Sequence, residues 1–196
     1  MTLDMNFFQE RSAGVIPFMR DDEGQTRYLV LHSATVRNPR ARWEFPKGGM
    51  EQGETPRQTA SREFLEETGL SAWSLHEGFE RNLSYTFVRR GRKVLKTVTY
   101  FLVEVHDNAS LTRSSEHVPD PFGHWHHWGT FDEVNRLLYH AKIRQLFAEA
   151  HDWVHGKNTS GTPLAAEPAP EGTGAIDEAV RALTRGEADR PAEPAG

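Results

Sequence analysis

Four glutamates and one arginine fall within fourteen positions of this 196-residue chain: Glu54, Arg62, Glu63, Glu66 and Glu67. On a helix, Glu63 and Glu67 lie four apart and Glu66 three from Glu63, so these carboxylates share one face or its edge. Like charges at that spacing cost a helix roughly 0.2–0.5 kcal/mol. Glu66 and Glu67 also sit in the last turn, where the macrodipole disfavours anions. A helix serving only as scaffold has no reason to accept both penalties. A hard divalent cation would remove them, because Mg²⁺ selects carboxylate oxygens and keeps waters in its remaining positions. Arg62 is placed to orient one carboxylate through a bidentate pair. The competing reading of such a run is a solvated acidic face.

The surrounding sequence predicts how these residues are positioned. A helix runs from about Thr55 to Glu67, with Thr55 as N-cap, Pro56 at the first helical position and Gln58 completing a T-x-x-Q capping box. Gly69 fits the position that ends it. The segment before it, PKGGMEQGE, carries three glycines in nine residues and must bend tightly or pass close to something. Residues 12–20 and 27–34 read as apolar strands joined by the polar turn DDEGQ, with Gly24 available for positive φ. A basic loop with a proline (37–42) leads to a short strand around Trp43–Phe45. Phe79–Val105 reads as a long hairpin turning at RRGRK. HWHHW (124–128) is a short edge strand, and TFDE (130–133) caps a helix that breaks near Tyr139–His140 and resumes to about Val154. A sheet with helices on both faces follows.

The stretch Gly48–Leu70 fits G-x5-E-x7-R-E-U-x-E-E-x-G-U, where U is a bulky apolar residue, at all nine constrained positions. The chain therefore resembles the Nudix hydrolases through their signature box. The resemblance implies an α/β fold, the Nudix α/β/α sandwich with a mixed β-sheet and a catalytic loop–helix–loop that holds Mg²⁺ or Mn²⁺ against a pyrophosphate. By the family pattern Glu63 and Glu67 are the main metal ligands. Glu66 is a further ligand or a partner of metal-bound water, and backbone oxygens of Lys47 or Gly48 could complete the coordination. Glu54 helps position the helix or the metals through Arg62, while Gly48 and Gly69 are structural members of the box. The metals neutralise the polyphosphate, orient it and lower the pKa of attacking water. With no other evident nucleophile, direct hydrolysis is expected.

Outside the box, residues 12–154 resemble the asymmetrical diadenosine tetraphosphate hydrolases. The likeness rests on W-x-x-P-K-G at Trp43–Gly48, on EGFERNLSYTF and KTVTYFLVEV around the basic turn, and on SSEH at 114–117. It implies that Lys47 contacts phosphate, that Tyr85 stacks on adenine or binds phosphate, and that Glu116 is a metal ligand or the general base. Tyr85 could instead alternate into the core of its strand, and Glu116 could be an ordinary surface residue. Arg42 stands where the family often has a histidine, and VPDPFGH after His117 is an apparent insertion. Trp125 or His126 is then the candidate for a second base-stacking position. Six basic residues and no acid lie between Arg81 and Lys96, which suits a long polyphosphate, although hairpin tips are also charged for solubility. Arg81 and Arg42 join the substrate-binding candidates. His124, His126 and His127 invite a zinc reading, but no third ligand is obvious and the expected site is a hard oxygen one.

Composition sets the outer limits. The chain has no cysteine, which removes disulfides, thiolate metal sites and cysteine nucleophiles. The N-terminal MTLDMNFFQERSAG lacks a secretory pattern, and no run approaches the ~20 apolar residues of a membrane span. A cytoplasmic protein without a membrane partner is expected. Net charge is −5; residues 157–196 carry seven acids against four bases, leaving −2 for residues 1–156. So neutral a body argues against bulk duplex binding. The expected organisation is a Nudix domain over 1–156 and a disordered Pro/Ala/Glu/Gly-rich tail over 157–196. The expected reaction is cleavage of diadenosine tetraphosphate to ATP and AMP, with a small-molecule nucleotide as partner and a monomer or weak dimer as the assembly. The alternatives are hydrolysis at the 5′ end of RNA or of inositol pyrophosphates, and a Nudix-fold sensing module without catalysis.

Overall fold

The computed structural model describes residues 8–33, 38–106 and 125–157, together with Glu167–Pro168. Its centre is a mixed sheet. Strand β1 (Phe8–Arg20) runs parallel to β6 (Arg92–Val105), and β6 runs antiparallel to β5 (Trp73–Arg89). The β5–β6 turn is Arg90–Gly91, with φ of 50° and 77°. Two positive-φ residues match the right-handed twist of a two-residue hairpin, which explains why glycine occupies one of them. On the other side, β1 meets β2 (Thr26–His32) only at Phe18–Arg20, after which the two diverge. The chain 43–49 fills the gap as β3 (Trp43–Glu44) against β2 and β4 (Lys47–Gly49) against β1. β7 (Trp125–Gly129) covers the outer side of β2 as an edge strand. The predicted bending loop is thus partly a wedge between two strands.

Residues alternate between the two faces with the strand period of two. Ala13, Val15, Leu29, Leu31, Phe101 and Val103 pack against Ala60 and Phe64 of helix α1 (Pro56–Thr68). Ile16, Phe18, Tyr28, Val30, Tyr100 and Leu102 pack against Val134 of α2 (Phe131–Leu137) and Leu146, Phe147 and Ala150 of α3 (Ala141–Val154). This is the expected α/β/α sandwich. Phe64 is fully buried and is the main apolar anchor of α1; truncating such a phenylalanine to alanine costs about 3–5 kcal/mol.

Both capping boxes form, at Thr55 with Gln58 and at Thr130 with Glu133. α1 ends at Gly69 with φ 69°, and α2 and α3 are separated at Leu138–His140, as predicted. Two strands start earlier than expected. β1 begins at Phe8 because its first residues find partners in β6, and β5 begins at Trp73, ahead of an irregularity between Leu75 and Glu80. Of residues 158–196, only Glu167–Pro168 is described, pairing parallel with Tyr85–Thr86 on β5; the predicted tail otherwise lies outside the described residues. No helix among the described residues is long and apolar enough to cross a membrane.

Candidate active site

The wedge and the helix together build the site. Gly48 on β4 passes directly under α1, where a β-carbon would overlap the Glu63 carboxyl. The close approach anticipated for the glycine-rich segment is therefore to a candidate metal ligand. One residue earlier, the Lys47 backbone N–H donates to Glu67 Oε2 at 2.8 Å. The β4 backbone thus contacts both Glu63 and Glu67, and the wedge fixes the spacing between loop and helix.

Arg62 organises the remaining carboxylates. Its Nε and Nη2 donate to the two oxygens of Glu54 at 2.8 and 2.9 Å, the bidentate pair expected. Nη1 reaches Glu63 at 2.8 Å and Glu66 at 3.1 Å, and Nη2 also donates to the Gly49 carbonyl at 2.9 Å. Glu54 accepts further bonds from the Thr59 hydroxyl at 2.7 Å and the Glu51 N–H at 2.9 Å. The Arg62 hydrogen bond is the main reason the Glu54 carboxyl is held down to about 2. Glu54 is thereby a fixed anion that pins the loop 51–54 to the helix.

Glu67 has the opposite character. Burial pushes its pKa well above the usual carboxylate range; the Lys47 ammonium pulls it back, while Glu44 and Glu63 push it further up. An ionised Glu67 in this setting calls for a counter-charge. Among the described residues no three acid or imidazole groups converge into a complete metal cage. Mg²⁺ takes a few carboxylates and fills the rest of its shell with water and substrate phosphate. Glu63, Glu66 and Glu67 offer hard oxygen donors of the right kind, so these residues fit a divalent cation.

The other predicted site residues divide. Lys47 lies in the site, with its ammonium 2.8 Å from Glu44 Oε2. Arg42 follows the 3-10 turn Pro39–Ala41, and its carbonyl accepts from the Ser33 N–H. Its charge, after burial, helps keep the His32 pKa low. Tyr85 is part-buried against the core beneath α3, with its ring 6.2 Å from Phe87; this is the core-directed option for that residue. His126, named with Trp125 as a stacking candidate, faces α1, its Nε2 3.2 Å from the Glu67 carbonyl at the end of that helix.

Arg81 departs furthest from expectation. Its Nε pairs with Glu149 at 3.1 Å, and its guanidinium lies over the rings of Phe79 and Trp153. It ties β5 to α3 and is not part of the basic hairpin tip. Trp125 is placed through its backbone pairing with His32. Glu116, the SSEH loop, the VPDPFGH segment and His124 lie outside the described residues. Sequence reasoning missed Glu44, the partner of Lys47, and Tyr100. Burial pushes the Tyr100 hydroxyl up, and Lys47, Tyr85, Glu44 and Glu67 are the ionisable groups acting on it. An acid three residues before Lys47 was the available signal for Glu44.

Comparison with known proteins agrees with this geometry. The family model for the NUDIX domain matches residues 9–150. The asymmetrical bis(5′-nucleosyl)-tetraphosphatase of Mus musculus is 32% identical over 152 residues, covering 74% of this chain and 95% of the mouse protein. An RNA pyrophosphohydrolase of Sulfurovum sp. is 33% identical over 98 residues, covering 47% of this chain and 60% of that protein. Among solved structures, the binary complex of a C. elegans Ap4A hydrolase aligns with a TM-score of 0.59 at 21% identity, covering 75% of this chain and 98% of that one. A Nudix hydrolase from M. smegmatis, RenU, aligns at 0.52 and 17% identity, covering 75% of this chain and 87% of that one; both likenesses speak to the fold. The box, the sandwich that carries it and the match over residues 9–150 together establish that the chain belongs to the Nudix family and is a Nudix hydrolase.

Proposed function

We propose that the chain hydrolyses dinucleoside polyphosphates with Mg²⁺ or Mn²⁺, cleaving diadenosine tetraphosphate to ATP and AMP by attack of water on phosphorus. The supporting observation is the junction of loop and helix, where the Lys47 main chain binds Glu67 while the Gly48 backbone lies against Glu63. That junction places a lysine beside the carboxylates expected to hold cations. Its relevance to this substrate class is supported by the likeness to the mouse tetraphosphatase over 95% of that protein's length.

Nudix hydrolases generally need divalent metal ions. Glu63, Glu67 and Glu66 would hold the cation here, with backbone oxygen of Lys47 or Gly48 and Glu116 as further candidates. When bound, it would supply charge neutralisation and activation of water. The chain's own residues do the positioning. Arg62 holds Glu54, Glu63 and Glu66 in one array, and Lys47, whose ammonium pairs with Glu44, is the residue expected to turn to phosphate. Arg42, Tyr85, Trp125 and His126 remain candidates for nucleoside contact.

The test is chromatographic product analysis after incubation with diadenosine tetraphosphate and Mg²⁺. Equal release of ATP and AMP is expected. Absence of turnover on it, with release of pyrophosphate from triphosphorylated RNA, would move the substrate to the second reading, which the RNA pyrophosphohydrolase likeness supports.

A further inference from the structure

We propose that Glu44 is a positioning residue that keeps the Lys47 ammonium off the Glu67 carboxylate, leaving that carboxylate for a divalent cation. The inference rests on the reading of Glu67 as a metal ligand and deepens it.

Lys47 serves two carboxylates with two different groups. Its main-chain N–H donates to Glu67 Oε2 at 2.8 Å, and its side-chain ammonium pairs with Glu44 Oε2 at 2.8 Å. The side chains of that ion pair are largely shielded from water, 12% exposed for Lys47 and 19% for Glu44. A shielded ammonium needs a partner, because leaving such a charge uncompensated is costly. The choice of partner is local. One residue, Lys47, touches Glu67 through its main chain and Glu44 through its side chain. Lys47, Glu44 and Glu67 also all act on the Tyr100 hydroxyl. The three charged groups therefore share one neighbourhood, and the ammonium rests on Glu44.

Without the Glu44 charge, Glu67 is the remaining carboxylate in contact with Lys47, already bound to its main-chain N–H. An ammonium drawn to it would take up the oxygen lone pairs that a cation requires and cancel the charge that attracts one. Glu44 therefore acts through Lys47, and its effect depends on the lysine side chain being present. The main-chain bond from Lys47 to Glu67 does not depend on that side chain, so shortening it leaves the loop–helix junction in place.

The experiment is Mn²⁺ binding to the full chain without substrate, followed by calorimetry and by electron paramagnetic resonance of free Mn²⁺. Wild type is compared with Glu44→Gln, Glu44→Asp, Lys47→Met, Glu67→Gln and the double variant Glu44→Gln/Lys47→Met, each checked for a cooperative melt. We expect Glu44→Gln to weaken binding about tenfold, as loss of an outer partner of a metal ligand commonly does. Glu44→Asp keeps the charge and should bind close to wild type. In the Lys47→Met background the Glu44→Gln effect should disappear, a non-additivity that a general loss of local structure would not produce. Wild-type binding by Glu44→Gln, or an equal loss with and without the lysine side chain, overturns the proposal. Wild-type binding by Glu67→Gln would instead overturn the assignment of Glu67 as a ligand on which the proposal stands.

Discussion

Arg62 and Arg81 are both part-buried arginines bound to glutamates, yet they sit in very different electrostatic settings. Arg62 faces Glu54, Glu63 and Glu66 at once and also donates to a backbone carbonyl. Among the described residues Arg81 faces one carboxylate, Glu149, together with two aromatic rings and the Glu80 carbonyl. Around Arg81 the charges balance, and the arrangement is complete as a join between strand and helix. Around Arg62 the negative charge is in excess, and Glu67 next to it is pushed toward its protonated form by burial. A fold gains nothing from gathering unbalanced carboxylates. In the proposed function the excess is where a cation would sit, whereas the balance around Arg81 joins strand to helix.

This contrast can be tested from both ends. The largest effect is expected from Gly48→Ala. The added methyl meets the end of a side chain, Glu63, so the fold can yield by moving that carboxyl. Steady-state assays should show a loss of about a hundredfold or more, since catalytic groups must be held closely in place. The melting temperature should fall only slightly. A large fall in melting temperature with little change in specific activity would break the assignment.

Arg81→Ala should do the reverse. It removes a part-buried ion pair and two ring contacts, and urea unfolding should register a loss of about 2 kcal/mol. Rate constants below the unfolding transition should stay near wild type. A selective rise in KM for the polyphosphate would return Arg81 to the substrate site.

The smallest effect concerns pH. Burial is the leading cause that lowers the pKa of His127 on β7, of His140 before α3 and of His151 within α3. A histidine depressed in the folded state contributes stability that is fully present above its unfolded value near 6.5 and is lost as pH falls through the folded value. Glu54, held to about 2, loses its contribution only below its unfolded value near 4.5. As pH falls from about 7 to 5 the histidines should therefore lower the melting temperature while the Glu54–Arg62 pair does not. Glu67, raised by burial, works against the histidines because its protonation favours the fold. His151→Gln should make that acid slope shallower. An unchanged slope would show that the Tyr28–His151 contact, 2.8 Å between the hydroxyl and Nδ1, adapts to the charged ring.

How much of this was legible in the sequence follows from the range over which each residue acts. The Thr55 and Thr130 caps, the Arg90–Gly91 turn and the carboxylate face of α1 depend on neighbours within a few positions, and each was readable. The Arg62–Glu54 pair was readable too, because the helix fixes the position of the arginine. Of the wedge, β3 was read as a short strand around Trp43–Phe45, whereas β4, at three residues, is too short to show a period. Arg81 was counted with the basic tip because no acid separates it from the run Arg89–Lys96. Its actual partner, Glu149, is 68 residues away and no local pattern announces it. The His126 contact with α1 was hidden for the same reason. Its strand pairs with Leu31, on the face packed against α1, and that register is a long-range fact. Glu44 was overlooked although it stands three residues from Lys47, because its importance lies in competition for the ammonium and not in any motif.

The most direct test of the central claim is the rate of ATP and AMP release from diadenosine tetraphosphate in Mg²⁺ by wild type and Glu67→Gln, at matched and fully folded concentrations. The account predicts that Glu67→Gln melts cooperatively and loses more than about a hundredfold in kcat. Turnover close to wild type by a folded Glu67→Gln protein would contradict it, and would separate the charge excess around Arg62 from the chemistry.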